Sequence, residues 1–213
     1  MNKLVAALFC IISLTACKRN EETPLAFIGP QEIVGDKIIY HSIPEFKLSN
    51  QEKDSISNAN LDGKVYIADF FFTTCPSICP IMTNNMVKIQ RAFKGNENFA
   101  LVSHTVNPEN DNEEVLKDYA AEMHADTKNW HFLTGEKEEI YQTAFSGYFA
   151  NADEDELAPG GFLHSQYFIL VDKQGRVRSG YDRQGNVKGV YDGTNDQDVL
   201  QLIGDIKTLL KEQ

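Results

Sequence analysis

The sequence predicts an α/β fold in which a central mixed sheet is flanked by helices on both faces. Three observations support this prediction. Segments rich in β-branched and aromatic residues alternate with segments of helical periodicity. Two of the apolar segments, residues 65–72 and 99–106, contain few polar positions, as is typical of central strands covered on both faces. Near the end of the chain, two strands joined by a tight turn precede an amphipathic helix.

The N-terminal 17 residues have the pattern of a bacterial secretory signal: a lysine near the start, a short apolar stretch and small residues at the end. The apolar stretch is shorter than the roughly 20 residues that a membrane-spanning helix needs. The ending Leu-Thr-Ala-Cys resembles a lipobox, so we expect Cys17 to carry lipid. A plain signal peptide with an incidental Cys17 is the alternative. We therefore expect a lipid-anchored membrane protein of the bacterial cell envelope that faces the periplasm.

The rest of the chain divides into a tether and one domain. Residues 18–36 are polar and contain proline and glycine, which is typical of a linker. Residues 37–213 are long enough for a single domain with a full apolar core. The formal net charge of −11 excludes a typical nucleic-acid-binding protein, because such proteins present a basic face.

The elements follow one another in a regular order. Extra N-terminal strands are predicted at residues 38–40, 46–48 and 54–57, before the central strand 65–72. Helices are predicted at 75–94, 112–124, 136–149 and 196–211, and further strands at 99–106 and 130–134. Residues 164–172 and 176–182 flank the turn Lys173-Gln174-Gly175 and form the predicted C-terminal hairpin.

Cys75 and Cys79 are the two cysteines of the predicted domain, and each precedes a proline, Pro76 or Pro80. A disulfide staple, a redox pair and half of a metal site are the three interpretations. The staple is weak, because closing so short a loop removes little entropy from the unfolded chain. Both cysteines are expected at the start of a helix, where the helix dipole favours thiolates. Pro76 suits the first helical turn, which does not need its N–H.

Three residues separate the two cysteines, whereas the usual thioredoxin redox motif has two. Two thiolates at this spacing suit a soft metal ion such as Cu(I), and an added imidazole would extend the site to Cu(II). A closed zinc site would want four ligands, and the predicted domain contains only two cysteines. His164, which follows a Pro-Gly-Gly loop, and His104, at the end of a central strand, are the candidates for a third ligand. His41, His124 and His131 are interpreted as ordinary surface or core histidines.

The run FFTTCPSICP at residues 71–80 resembles the signature of the Sco/SenC family, whose members are thioredoxin-like copper proteins that serve cytochrome c oxidase assembly. The similarity continues through residues 101–111, 130–135, 164–175 and 191–194, and so covers roughly residues 40–211. One departure is Asn107, where the family usually has an aspartate.

The resemblance implies a thioredoxin-like fold in which Cys75, Cys79 and His164 bind one copper ion, as Cu(I) or Cu(II). It also implies a metallochaperone that delivers copper to the dinuclear copper domain of cytochrome c oxidase. We expect a reversible Cys75–Cys79 disulfide to control metal binding, which requires a thiol-disulfide reductant as a second partner. The acidic loop 150–163 is interpreted either as a partner contact or as a solvated loop.

Enzymatic functions are the alternatives. A thiol-disulfide oxidoreductase could reduce the cysteines of a partner, although the spacing and the two prolines argue against ordinary thioredoxin chemistry. No proline directly precedes Leu163 and His164, where thioredoxins carry their cis-proline. A peroxidase would need an activating Thr or Arg, and Thr73 and Thr74 lie just upstream of Cys75. A redox sensor that binds no metal is the weakest interpretation.

Overall fold

A nine-stranded mixed sheet lies at the centre of the protein, which a computed structural model describes for residues 23–212. Two small two-stranded sheets lie outside it. The predicted signal segment and Cys17 lie outside the described residues. In chain order the strands are β1 (Ala26–Phe27), β2 (Gln31–Val34), β3 (Lys37–Tyr40), β4 (Lys47–Asn50), β5 (Ser55–Ser57), β6 (Val65–Phe71), β7 (Phe99–Thr105), β8 (Trp130–Thr134), β9 (Ala152–Glu154), β10 (Phe162–His164), β11 (Tyr167–Val171), β12 (Val177–Ser179) and β13 (Tyr191–Asp192).

In the described part of the chain, five α-helices and one π-helical turn accompany the strands. They are α1 (Asn58–Leu61), α2 (Cys79–Ala92), α3 (Glu113–Glu122), α4 (Lys137–Gln142), the π-helical turn Thr143–Gly147 that continues α4, and α5 (Asp196–Lys211). Asn112 begins α3 by accepting hydrogen bonds from the N–H groups of Glu114 and Val115, and Asn195 caps α5 in the same way.

The main sheet has the order β1-β12-β11-β6-β7-β8-β4-β5, and β13 pairs with β11. Strands β6, β7 and β8 are parallel, whereas β11 and β12 are antiparallel to their neighbours. The predicted mixed sheet, the additional N-terminal strands and the C-terminal hairpin are therefore confirmed.

Helical segments cover both faces of the sheet. Alternate side chains of β6 point to opposite faces and contact different helical segments. On one face, the ring of Phe71 lies 5.3 Å from that of Tyr119 on α3, and Tyr119 hydrogen-bonds Thr83 on α2. On the other face, the ring of Phe70 lies 5.7 Å from that of Tyr148, directly after the π-helical turn. The two faces bury different aromatic clusters.

The predicted tether is in part folded. From Leu25 onward the chain joins the domain, since β1 pairs with β12 and Arg178 donates a hydrogen bond to the Leu25 carbonyl oxygen. Arg178 is 2% exposed and also forms ion pairs with Asp172 and Glu212 near the C-terminus. Linker-like composition did not reveal this edge strand, because its partner lies about 150 residues away in sequence.

Three predicted elements differ in the structure. The helix predicted from residue 75 begins at Cys79, and Pro80, not Pro76, occupies its first turn. The acidic loop 150–163 contains a hairpin of β9 and β10, and His164 ends β10 and does not begin the next strand.

Within residues 23–212, no helix is both long and apolar enough to cross a membrane.

Candidate metal centre

Three separate segments bring Cys75, Cys79 and His164 together. The Nε2 atom of His164 lies 3.3 Å from the Sγ atom of Cys79 and 3.8 Å from that of Cys75. The three donor atoms all lie within 4.8 Å of one another, and both thiols are free. Among the described residues, no other group of His, Cys, Asp and Glu side chains is close enough to hold a metal ion. Two sulfurs and one imidazole nitrogen form a donor set that suits copper.

Cys79 is the first residue of α2 and is 1% exposed. Pro80 follows it in the first helical turn, where the missing N–H removes no helical hydrogen bond. The side chain of Cys79 is therefore fixed by a regular element. Cys79 is the more deeply buried of the two cysteines.

Cys75 lies before α2 in a turn closed by a hydrogen bond from its own N–H to the carbonyl oxygen of Phe72. Pro80 has no N–H to donate to the carbonyl oxygen of Pro76, so a regular helix does not extend back to Cys75. The sulfurs consequently approach each other through a loop and not along one helix face, which corrects the predicted geometry. Cys75 is 7% exposed and lies nearer the surface than Cys79.

His164 is oriented by its own backbone and by an aromatic neighbour. Its Nδ1 atom lies 3.2 Å from the carbonyl oxygen of Ser165, and its ring meets the ring of Phe72 edge to face at 5.6 Å. A carbonyl oxygen only accepts, so the Nδ1 atom carries the proton in this contact. The Nε2 atom faces the two sulfurs: it can offer its lone pair to a metal ion, or, when it carries a proton, donate a hydrogen bond to the Cys75 sulfur.

The two thiols differ in acidity. Burial opposes ionisation of Cys75, but hydrogen bonds from His164, Ser77 and Cys79 outweigh it and lower the pKa of Cys75 to about 6. Burial raises the pKa of Cys79 well above its ordinary value, and the neighbouring Cys75 adds to this effect. At neutral pH the pair therefore combines a thiolate at position 75 with a neutral thiol at position 79.

A buried carboxyl group, Asp69, lies on the same face of the sheet as Phe71, the face that α3 covers. It accepts a hydrogen bond of 2.5 Å from Ser103, which in turn accepts one from the indole N–H of Trp130. Burial raises the pKa of Asp69 to about 7, although the Ser103 hydrogen bond and the charge of His164 act in the opposite direction. Sequence reasoning missed this residue. Its signal is a single acidic residue within the apolar run of β6.

His104, the rival ligand, does not join the site. It pairs with Phe70 across β6 and β7, and its side chain lies on the opposite face of the sheet from Asp69. Its ring is fully buried, 5.0 Å from that of Phe70 and 5.3 Å from that of Tyr148. Burial lowers the pKa of His104 to about 4. The alternation of side chains along β7 turns His104 away from the thiols, whereas His164 reaches them from the β9–β10 hairpin outside the main sheet.

Comparison with known proteins identifies the family. The SCO1/SenC family profile matches residues 39–197, most of the chain. The chain belongs to the SCO1/SenC family. A solved structure of a SCO1/SenC family lipoprotein from Bacillus anthracis is 31% identical, with a TM-score of 0.70, over 80% of this chain and 96% of that protein. The predicted thioredoxin-like fold of the family is thus confirmed.

Two further solved structures of the SCO1/SenC family connect it with copper and disulfide chemistry. BsSco, described as having a disulfide switch and as a member of the Sco family of cytochrome c oxidase assembly proteins, is 30% identical. Its TM-score is 0.68, over 81% of this chain and 95% of that one. Arabidopsis thaliana ScoI, solved with copper bound, is 25% identical with a TM-score of 0.60, over 78% of this chain and 98% of that one.

Proposed function

We propose that this protein is a copper metallochaperone. In this proposal Cys75, Cys79 and His164 bind one copper ion and release it to the dinuclear copper domain of cytochrome c oxidase. The observation that carries the proposal is the convergence of three soft or borderline donor atoms within 4.8 Å of one another. The copper-bound relative and the assembly role stated for BsSco support it.

The geometry suits transfer better than permanent storage. A set of three ligands leaves copper with an open position that an incoming donor can occupy while the old ligands are still attached. His164 is partly exposed, and Leu163 beside it is 46% exposed. An acceptor can therefore approach from the His164 side while Cys79 remains fixed in α2.

The unequal thiols support redox control of binding. The Cys75 thiolate can attack a disulfide of a partner protein, and the Cys79 thiol, after losing its proton, then attacks Cys75. This forms the Cys75–Cys79 disulfide, releases the partner as a dithiol and removes both sulfur ligands. A thiol-disulfide reductant would return the pair to the copper-binding form.

We also propose that the domain is anchored through lipid on Cys17 and faces the periplasm. The relative from Bacillus anthracis is described as a lipoprotein. In this chain, eight residues separate Cys17 from Ala26, where the first strand begins, so an extended connection reaches at most about 32 Å. Mass spectrometry of the membrane-extracted protein beside a Cys17→Ser variant tests the anchor, because that variant cannot carry the lipid.

Copper stoichiometry tests the main proposal. The reduced, anaerobic full chain should bind one copper per chain, and the Cys75→Ser/Cys79→Ser double variant should bind none at this site. The alternative function is a thiol-disulfide oxidoreductase, which the asymmetric acidity of the two thiols favours. A wild-type protein that binds no copper but exchanges its disulfide rapidly with partner thiols would establish that alternative.

The variant His164→Ala separates the two functions. For the metallochaperone, this change should remove most of the Cu(II) affinity and leave disulfide exchange largely intact when exchange is measured at a pH at which Cys75 is ionised in both proteins. For the oxidoreductase, His164→Ala would keep its full biological activity although it binds no copper. His124→Asn is the matched control, because His124 is exposed and Asn tolerates its left-handed backbone with φ of 54°.

A further inference from the structure

Asp111 is a fully buried carboxyl group with no charged partner. It is 0% exposed, and no described lysine, arginine or histidine forms an ion pair with it. Burial of a carboxylate without a counter-ion is costly unless hydrogen bonds replace its lost hydration.

Four donors supply the missing hydration of Asp111. The Thr73 backbone N–H donates at 3.0 Å and the Thr73 hydroxyl at 2.5 Å. The Thr105 hydroxyl and the Asn110 side-chain amide, the latter at 2.8 Å, also donate to the carboxyl group. All four donors are neutral, and two of them belong to one residue, Thr73.

Thr73 lies where the sheet no longer supports the chain. The last sheet-like hydrogen bond of this region runs from the Val106 N–H to the carbonyl oxygen of Phe71. Two residues beyond, the Thr73 N–H is held by the Asp111 side chain. Two residues further lies Cys75. The Asp111 carboxyl group therefore replaces a neighbouring strand at the point where β6 passes into the copper loop, residues 72–78.

Asp111 is itself rigidly placed. Its N–H donates to the carbonyl oxygen of Asn107 at 2.9 Å, and the Asn107 N–H donates to the Thr105 hydroxyl at 3.0 Å. Asn112, the next residue, caps α3. The carboxyl group is thus part of the short connection between β7 and α3 and can serve as a fixed point for the copper loop.

Of the three proposed ligands, Cys75 depends most on such a fixed point. Cys79 belongs to α2, and His164 contacts Ser165 and Phe72. Cys75 lies outside regular structure, in the turn closed by its bond to Phe72, and its sulfur contacts Ser77 at 3.7 Å and His164 at 3.8 Å. A displacement of the loop by about 1 Å is enough to spoil a ligand arrangement of this kind.

We propose that Asp111 is a positioning residue for the copper site, which acts through Thr73 to place the sulfur of Cys75 opposite Cys79 and His164. This inference rests on the proposed copper function, but it concerns a residue outside the ligand set. It also makes a prediction for the metal-free protein, because the same placement controls closure of the Cys75–Cys79 disulfide.

The test compares Asp111→Asn with Asp118→Asn in the full chain. Asparagine has the size of aspartate, but its amide N–H group faces donors that need an acceptor. Asp118 is exposed on α3, so its variant makes the same charge change without touching the loop. In Asp111→Asn we expect Cu(II) affinity to fall roughly 10- to 100-fold. We also expect the thiolate-to-copper absorption band to change, while Asp118→Asn matches the wild type.

Substitutions of Thr73 identify the route. Thr73→Val removes the hydroxyl that Asp111 accepts from, whereas Thr73→Ser keeps it and should restore wild-type binding. The double variant Asp111→Asn/Thr73→Val should lose no more affinity than Asp111→Asn alone, because both changes break one connection. If Asp111→Asn does not fold, the comparison of Thr73→Val with Thr73→Ser decides the question, and equal affinities would refute the proposal.

Two further measurements separate a positioning role of Asp111 from a purely structural role and from failure of the proposed copper function. If Asp111→Asn unfolds at a lower temperature but keeps the wild-type Cu(II) affinity and absorption band, Asp111 is only structural and the inference is wrong. If the wild type binds no copper, the proposed function fails, but the inference can still be tested on the disulfide equilibrium of the metal-free protein. In a glutathione redox buffer, the equilibrium constant for closing the Cys75–Cys79 disulfide should then still fall about tenfold in Asp111→Asn. An unchanged constant would refute the inference independently of copper.

Discussion

The Nε2 atom of His164 lies 3.3 Å from the Sγ atom of Cys79, although the two residues are 85 positions apart in sequence. The contact joins the first turn of α2 to a small hairpin outside the main sheet. Either partner alone is an ordinary residue. Together with Cys75 they give the proposed copper site its chemistry, and the predictions below follow from the surroundings of these three side chains.

Cys75 should be the reactive thiol. Because its pKa is about 6 while that of Cys79 is raised well above the ordinary value, alkylation of Cys75 should reach half its maximal rate near pH 6. Iodoacetamide labelling followed by peptide mass spectrometry measures both sites. His164→Ala should move the Cys75 midpoint upward, since it removes a hydrogen bond to the thiolate. Preferential labelling of Cys79 at neutral pH would contradict the described geometry.

Asp69→Asn should stabilise the metal-free protein at alkaline pH. The folded pKa of Asp69 is about 7, above the unfolded value near 3.8, so its contribution is fully present below pH 4 and lost as pH rises through 7. Asparagine cannot ionise and avoids this loss. Urea titrations should show the variant more stable by up to roughly 4 kcal/mol at pH 8 and close to wild type at pH 4. A constant difference across this range would show that Asp69 does not titrate as described.

His104 should weaken the fold in acid. Its folded pKa of about 4 lies below the unfolded value of 6.5, so the unfolded chain binds a proton first. The stability contributed by neutral His104 is complete above pH 6.5 and falls as pH drops from there to 4, by roughly 3 kcal/mol. In His104→Leu this part of the pH dependence should be absent. Unfolding in urea at several pH values measures it as the difference between the two proteins.

Gly160 should be required for the copper site, whereas its neighbour should not. A Cβ atom at Gly160 would lie 2.7 Å from the Phe72 ring and 3.2 Å from Pro76, next to the copper loop. Gly160→Ala would displace the Phe72 ring, which meets the His164 ring at 5.6 Å, and should lower copper affinity. Gly161→Ala is a matched control, because it has a similar positive φ and no atom within 4 Å of its Cβ. Both should lose about 1 kcal/mol or more to backbone strain, but only Gly160→Ala should change the Cu(II) spectrum.

Chain order alone could not choose between His104 and His164. Both lie beside elements expected to end near the cysteines, and the family resemblance decided in favour of His164. The structure gives the physical reason. His104 alternates with Ser103 on β7 and so faces the aromatic cluster of Phe70 and Tyr148, away from Asp69 and the thiols. A two-residue periodicity fixes the face of each side chain, but only once the strand boundaries are known.

Local sequence determined the elements whose causes are local. Strand β8 and helix α5 have the predicted bounds, because apolar periodicity and the Asn195 cap specify them within a few residues. The apolar run 65–72 likewise predicted β6 and helical periodicity predicted α2, although α2 begins at Cys79 and not at residue 75. Tertiary structure decided what depends on distant partners: the pairing of β1 with β12, the choice of histidine and the support of the copper loop by Asp111. These contacts join residues 38 to 153 positions apart, and no local pattern encodes which distant group will complete a site.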